Sequence, residues 1–371
     1  MKDFFGTLLF IIVCMLISMQ LTFSFQAKPK EKALTYGYVM RDSLKGKNPK
    51  VTKIAMLGAH DALSEGMKYN SKAAEGETGI MVHPAVKILG KGLVVRLSRT
   101  QNASARELLL SGVRYLDVRV TKSYGDYYAY HIYLSNYLRR YLVEVVEFLE
   151  THEGEFIIFD IQHFLREEKE TDEERRTQMI ELINYIGSIK TEHGNSLLDF
   201  VYYNAEENPL SELRYNDVTQ SGTKGGVIIL TKGYQTQYSY KRDNDATYED
   251  QSYDSIRSYW HDSNINQEMI QGIEDEYLYL SNHKDLIEGK FVVNQAQKTA
   301  LQANKTLVRS LLGWSVLDMN ARFNRKMVKN EDFSKWLSVM PIYMVDNATS
   351  RKGKFNKKVN ELIMKYNSGL E

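Results

Sequence analysis

Short apolar runs recur along this chain, and stretches with helical spacing separate them. Residues 54–58, 113–120, 127–134, 155–162, 226–230, 290–294 and 341–345 each read as a strand. Between two of them, residues 137–151 carry Leu138, Tyr141, Leu142, Val145, Val146 and Leu149 at intervals of three and four. That is the pattern of a helix with one apolar face, and Gly154 marks its stop. Apolar strands separated by helices argue for a mainly parallel sheet. A count of roughly seven or eight favours a closed barrel over an open, doubly wound sheet, so the expected fold is α/β, an irregular (βα)8 TIM-like barrel. No internal repeat or Pro/Gly linker divides residues 28–371, which read as one domain.

The stretch 104–120, SARELLLSGVRYLDVRV, organises the rest. Its first part reads as a short helix, with Gly112 where a left-handed stop is cheapest. Alternation from Val113 then places Val113, Tyr115, Asp117 and Arg119 on one strand face and Leu116, Val118 and Val120 on the other. The first face ends in a carboxylate beside a guanidinium at the C-terminal end of the strand, where parallel barrels keep their chemistry. A buried ion pair holding a strand end would read the same way.

Composition excludes some partners. With 48 Lys and Arg against 47 Asp and Glu, the chain has no global field to recruit nucleic acid. Its 25 tyrosines suit wet amphipathic surfaces such as a lipid interface or a sugar site, although core packing accounts for most tyrosines in most proteins. Residues 1–27 read as a signal peptide, Lys2 preceding an apolar run, or as an uncleaved N-terminal anchor of spanning length. Either route exports the domain, so it is expected to be secreted or tethered to the outer face of the membrane. Cys14, the sole cysteine, lies in that run, which leaves the domain without a disulfide or a cysteine-based metal site.

Further segments carry lighter expectations. Residues 66–98 hold an apolar core that reads as a helix packed on the barrel, or as a flap touching lipid. Residues 234–263, rich in Tyr, Asp, Asn and Ser, read as a long loop in which Trp260, with His261 and Asp262, is expected to help shape a substrate rim. Helical patterns are expected near 264–276 and 304–312 and in the basic tail.

Four strand ends carry polar residues: His60 with Asp61, Asp117 with Arg119, His131, and Asp346. In a barrel these ends share one mouth, and the set then has a chemical meaning. Two histidines serve as base and acid on opposite sides of a phosphorus centre. A guanidinium between them fits phosphate oxygens and opposes charge developing on them. A carboxylate behind one histidine fixes its tautomer. The combination suits cleavage of a phosphodiester by a neighbouring hydroxyl of the substrate itself. Alone, either histidine reads as a hydrogen-bonded core residue, and Asp117 as a counter-ion of Arg119.

In order and spacing, Leu57-Gly58-Ala59-His60-Asp61, Gly112-Val113-Arg114-Tyr115-Leu116-Asp117-Val118-Arg119, Tyr130-His131 and Phe159-Asp160-Ile161-Gln162-His163-Phe164 resemble the X-domain of phosphatidylinositol-specific phospholipases C. Tyr343-Met344-Val345-Asp346 is similar to the last barrel strand of the bacterial members, and the resemblance extends over about 33–365. It implies that His60 takes the proton from the inositol 2-hydroxyl, with Asp346 orienting it. His131, assisted by Asp61, would protonate the departing diacylglycerol oxygen. Arg119, with Asp117 beside it, would hold the phosphoryl oxygens. The products would be diacylglycerol and a cyclic inositol phosphate. The calcium-dependent branch has an acidic metal ligand at the place of Arg119 and another near Gln162, so no metal or other cofactor is expected here. Bacterial members have a lysine where Gln162 aligns and an inositol-contacting arginine where Gly233 falls. Lys232, inward by parity, is the expected substitute. His163, on the opposite parity from Gln162, is expected behind the barrel. The expected partner is an inositol phospholipid at a membrane surface, met by a monomer.

Two other functions fit a barrel of this kind. A metal-dependent glycerophosphodiester- or sphingomyelin-type phosphodiesterase would need clustered carboxylates, which Arg119 argues against. A non-catalytic lipid- or glycan-binding barrel would have lost part of the constellation, and nothing essential is missing.

Overall fold

A computed structural model describes residues 36–77, 91–165, 171–242, 254–299, 315–349 and 353–371. The expected leader at 1–27, the middle of the 66–98 segment and the expected helix at 304–312 lie outside these residues. Ten strands are present among them: β1 (Met56–Ala59), β2 (Val113–Ser123), β3 (Asp126–His131), β4 (Tyr133–Tyr137), β5 (Phe156–Leu165), β6 (Gly226–Thr231), β7 (Ser239–Lys241), β8 (Ile256–Tyr259), β9 (Phe291–Gln295) and β10 (Ile342–Val345). Eight of them form one parallel sheet in the order β7-β6-β5-β2-β1-β10-β9-β8, while β3 and β4 extend β2 as antiparallel strands. The sheet is the TIM-like α/β architecture expected, curled into an open half-barrel. Its end strands β7 and β8 do not pair with each other among the described residues.

Alternate residues of each strand fill two separate cores. Met56, Tyr115, Ile158, Ile228, Leu230, Ile256, Val293 and Met344 pack inside the curl. Leu57, Leu116, Val118, Phe159, Ile229, Tyr343 and Val345 face outward against helices that include Leu138–Thr151, Asp172–Ser188 and Lys354–Asn367. Gly58 is where the interior is tightest: a Cβ there would lie 3.0 Å from the Tyr115 ring and 3.2 Å from the Met344 backbone. The organising helix runs over Ala105–Leu110, closed at its start by a capping box between Ser104 and Glu107. Gly112 follows with a φ of 95°, a conformation that only glycine adopts at low cost.

The floor of the barrel is held by a buried ion pair. Glu155, just before β5, accepts the Arg114 Nε–H at 2.6 Å and the backbone N–H groups of Met40 and Arg41 at 2.9 and 2.8 Å. Arg114 in turn donates to the carbonyls of Tyr36 and Gly37. The pair therefore fixes the first described residues across the end opposite the mouth.

Three expectations need correction. Val113 lies in the outer core, not on the face of Tyr115, because the pairing of β1 with β2 slips by one residue at Arg114. Residues 127–134 are not one strand: the chain reverses at Ile132, whose φ is 68°, and continues as β4. The supposed long loop 234–263 contains two barrel strands, β7 and β8, too short and too polar to be read from periodicity.

Candidate active site

At the mouth, β1 and β10 lie side by side, and each is followed by a sharp change of direction. Asp61 and Asn347 both adopt left-handed backbone conformations, with φ of 42° and 51°. Such residues are uncommon outside glycine, and Asp and Asn tolerate them best. Three groups tie these ends together. Gln101 donates from Nε2 to the carbonyls of His60 and Val345, both at 2.9 Å, and accepts from the Ala348 N–H. Thr100 donates to the His60 carbonyl, and Asn324 to the Asp346 carbonyl.

His60 Nδ1 lies 2.7 Å from Asp346 Oδ1. The second oxygen of Asp346 accepts from Asn320 Nδ2 at 2.8 Å, so this carboxylate is held from both sides. His131 Nδ1 lies 2.9 Å from Asp61 Oδ2 and 2.8 Å from the Ser98 carbonyl. Carboxylate and carbonyl oxygens only accept. Both imidazoles therefore carry their proton on Nδ1, leaving Nε2 as the atom that gains or loses one. The other Asp61 oxygen pairs with Arg119 Nε, while His60 Nε2 stands 3.6 Å from Asp61 and 3.9 Å from Asp117. Thus the five residues expected to be catalytic, His60, Asp61, Arg119, His131 and Asp346, converge on one mouth, and Asp61 touches or approaches three of the other four.

The charges perturb one another. Burial pulls the His60 pKa down, but Asp61, Asp346 and Asp117 outweigh it and raise it to about 9. Burial also pushes Asp61 up, yet Arg119, His131 and His60 hold it well below the usual carboxylate range. Asp117 is pushed up to about 6 by burial and by Asp61. Asp346 is raised by burial, against the pull of His60.

Of the residues expected to bind substrate, Asp117 is buried and faces the mouth, where its Oδ2 accepts the Asp61 N–H at 3.2 Å. Gln162 is half-buried at an irregularity in the pairing of β2 with β5, where Val118 opposes Ile161 but Arg119 opposes His163. That slip corrects one expectation: His163 is exposed beside Arg119, not packed behind the barrel, and its ring is 6.0 Å from that of Tyr130. Lys232 is half-buried just past β6. Arg242, which the sequence did not single out, is a cation that reaches the interior from this side. Its Nε lies 2.9 and 3.0 Å from the oxygens of Asp160, which also accepts from Tyr115 at 2.5 Å. No motif signals Arg242, Thr100, Gln101, Asn320 or Asn324, since each acts through a contact distant in sequence.

His60, Asp61 and Asp117 offer ligand atoms within 4.8 Å of one another, close enough for a metal ion. Arg119 already pairs with Asp61, and its charge opposes a second cation there.

Relatives and solved structures agree with this architecture. No protein-family model matches the chain. A stretch of 121 residues is 32% identical to PI-PLC X domain-containing protein 2 of Mus musculus, covering 32% of this chain and 36% of that protein. Another of 125 residues is 33% identical to the Variant-surface-glycoprotein phospholipase C of Trypanosoma brucei brucei, covering 31% of this chain and 35% of that protein. The matches thus span about a third of the length of these curated relatives. Phosphatidylinositol-specific phospholipase C from Listeria monocytogenes superposes with a TM-score of 0.53 over 88% of this chain and 98% of its own, at 16% identity. The Staphylococcus aureus phosphatidylinositol-specific phospholipase C gives 0.55 over 90% and 99%, at 15% identity. These two likenesses establish the shared fold.

Proposed function

Since this chain belongs to the PI-PLC X domain family, we propose that it cleaves the glycerol–phosphate ester of phosphatidylinositol-type lipids by attack of the inositol 2-hydroxyl. The observation that carries this reading is the arrangement around Asp61, which links His131 and Arg119 while His60, backed by Asp346, stands on its other side. His60 Nε2 removes the proton of the 2-hydroxyl as its oxygen bonds to phosphorus. His131 Nε2 delivers a proton to the glycerol oxygen as the phosphorus–oxygen bond breaks, so diacylglycerol leaves and the phosphate closes into a ring. Arg119 meets the negative charge of the phosphoryl oxygens in the place where a metal-dependent enzyme would need a cation. The reaction is therefore expected without a metal.

A membrane surface as partner is supported by the shape of the mouth. Beyond Arg119, β2 continues through Ser123, and the turn to β3 passes through Tyr124 and Gly125, both at positive φ. The hairpin therefore reaches roughly 13 Å past Arg119, four residues of strand. Tyr124 at its tip is 49% exposed, with the Lys72 ammonium 4.3 Å from its ring centre, and Tyr69 nearby in the chain is 68% exposed. Amphipathic rings and cations of this kind suit a headgroup layer. Export of the domain remains part of the proposal, resting on residues 1–27.

The deciding experiment offers the purified protein phosphatidylinositol in EDTA and follows phosphorus NMR. Inositol 1,2-cyclic phosphate is the expected product. Activity that disappears in EDTA and returns with calcium or magnesium would favour the metal-dependent alternative, and binding of inositol lipid without headgroup release would favour the non-catalytic one.

A further inference from the structure

We propose that Tyr130 is a further catalytic residue, whose hydroxyl donates a hydrogen bond to a non-bridging phosphoryl oxygen held by Arg119. Three observations on the strands around Arg119 carry this. First, β2 and β3 pair with Val120 opposite Ala129, so the next step of the ladder brings Tyr130 across from Arg119, as His163 is on the β5 side. Cross-strand neighbours share a face, and the two aromatic residues therefore flank the guanidinium. Second, Tyr130 is fixed: it is 5% exposed and packs with Ala74 and Leu134. Third, its buried hydroxyl has no hydrogen-bond partner among the described residues.

A structural tyrosine at such a place would normally find a partner, because an unsatisfied buried hydroxyl is destabilising. Burial also pushes the phenol pKa upward, against the pull of Arg119, so the group keeps its proton and remains a donor. The nearby charges are Arg119, Glu77 and Asp61, and Arg119 is the one that draws a phosphate towards the ring. The acceptor that completes the hydroxyl is thus an anionic oxygen of the substrate. The bond would tighten as charge accumulates on that oxygen while the 2-hydroxyl attacks, and no covalent bond to the tyrosine forms or breaks.

This rests on the phosphodiesterase reading, and its test separates the two. Tyr130→Phe removes only the hydroxyl. The variant is expected to lose about ten- to a hundredfold in kcat with little change in KM, less than the loss typical of a principal oxyanion donor. It should discriminate less than the wild type between the two phosphorothioate diastereomers of phosphatidylinositol. Its Tm should equal or exceed that of the wild type, since an unpaired polar group has been deleted. Unchanged kcat and diastereomer preference would overturn the proposal, as would a fall in Tm with preference unaltered, which would mark the hydroxyl as structural. If the wild type does not cleave phosphatidylinositol, the functional reading fails, and binding of myo-inositol 1-phosphate then decides. About tenfold weaker binding by Tyr130→Phe supports the phosphate contact, whereas equal binding, or none by the wild type, overturns it.

Discussion

Asp61 stands one residue after His60, in a left-handed backbone conformation, and Arg119 and His131 meet at its carboxylate. The two imidazoles are thereby given different neighbours: His60 has three carboxylates around it, while His131 shares its Nδ1 proton between Asp61 and a carbonyl. His60→Ala and His131→Ala are each expected to lose about 10²- to 10⁴-fold in turnover while circular dichroism stays native, the usual weight of a positioned acid or base. Arg119→Lys is expected to be severely impaired as well, because an ammonium cannot reproduce the planar fork. The pH profile follows from His60. With a pKa raised to about 9, it rests as imidazolium at neutral pH, and a base must first lose that proton. Accordingly kcat/KM should rise with pH towards a midpoint near 9, and Asp346→Asn, which removes one of the raising charges, should move the midpoint down. A titration of the His60 ring protons by NMR checks the same group directly. The linked stability has the opposite slope: a raised folded pKa stabilises the protein fully below the ordinary value of 6.5 and ceases to do so as pH climbs through about 9.

Among the elements, β2 carries the greatest load. It contributes Tyr115 to the interior, Asp117 and Arg119 to the mouth, and Arg114 to the floor, and it slips register against a neighbour twice. Both slips defeated simple alternation, one at Val113 and the other at His163, because a bulge exchanges faces for every residue beyond it. The helix Leu138–Thr151 was legible almost to the residue, since its six apolar positions repeat over four turns and buried residues occupy all six, whereas Val316–Met327 went unread. Short barrel strands were not legible either: β7 spans only Ser239–Lys241 and is a strand because β6 lies beside it. At the floor, Arg114 and Glu155 are both fully buried. Glu155→Leu would strand a guanidinium without its counter-charge and remove the acceptor of the Met40 and Arg41 N–H groups. The expected loss is about 3–5 kcal/mol in chemical denaturation. Amide exchange should quicken first in residues 36–44, and a variant as stable as the wild type would show that the clamp contributes nothing.

For the whole molecule, the end proposed to meet a lipid surface is the mouth, where the β2–β3 hairpin carries the exposed ring of Tyr124. Tyr124→Ala should weaken partitioning onto vesicles of phosphatidylinositol and phosphatidylcholine by about fivefold, equivalent to ~1 kcal/mol. Cleavage of a soluble, short-chain substrate should be unaffected, and equal vesicle binding would remove the hairpin from the docking face. Local order was written in the amino-acid sequence: the strands with long apolar runs, the helices between them, and the residue types at four strand ends that made a phosphodiesterase chemistry legible. Those are short-range properties, set by side-chain period and by which residues tolerate a turn. Tertiary structure alone decided which nitrogen of each histidine faces its carboxylate, that Arg242 reaches Asp160, and that the Tyr130 hydroxyl has no hydrogen-bond partner among the described residues. Each of these depends on register and burial between segments far apart in the chain, where a slip of one residue turns a side chain from the mouth to the outside.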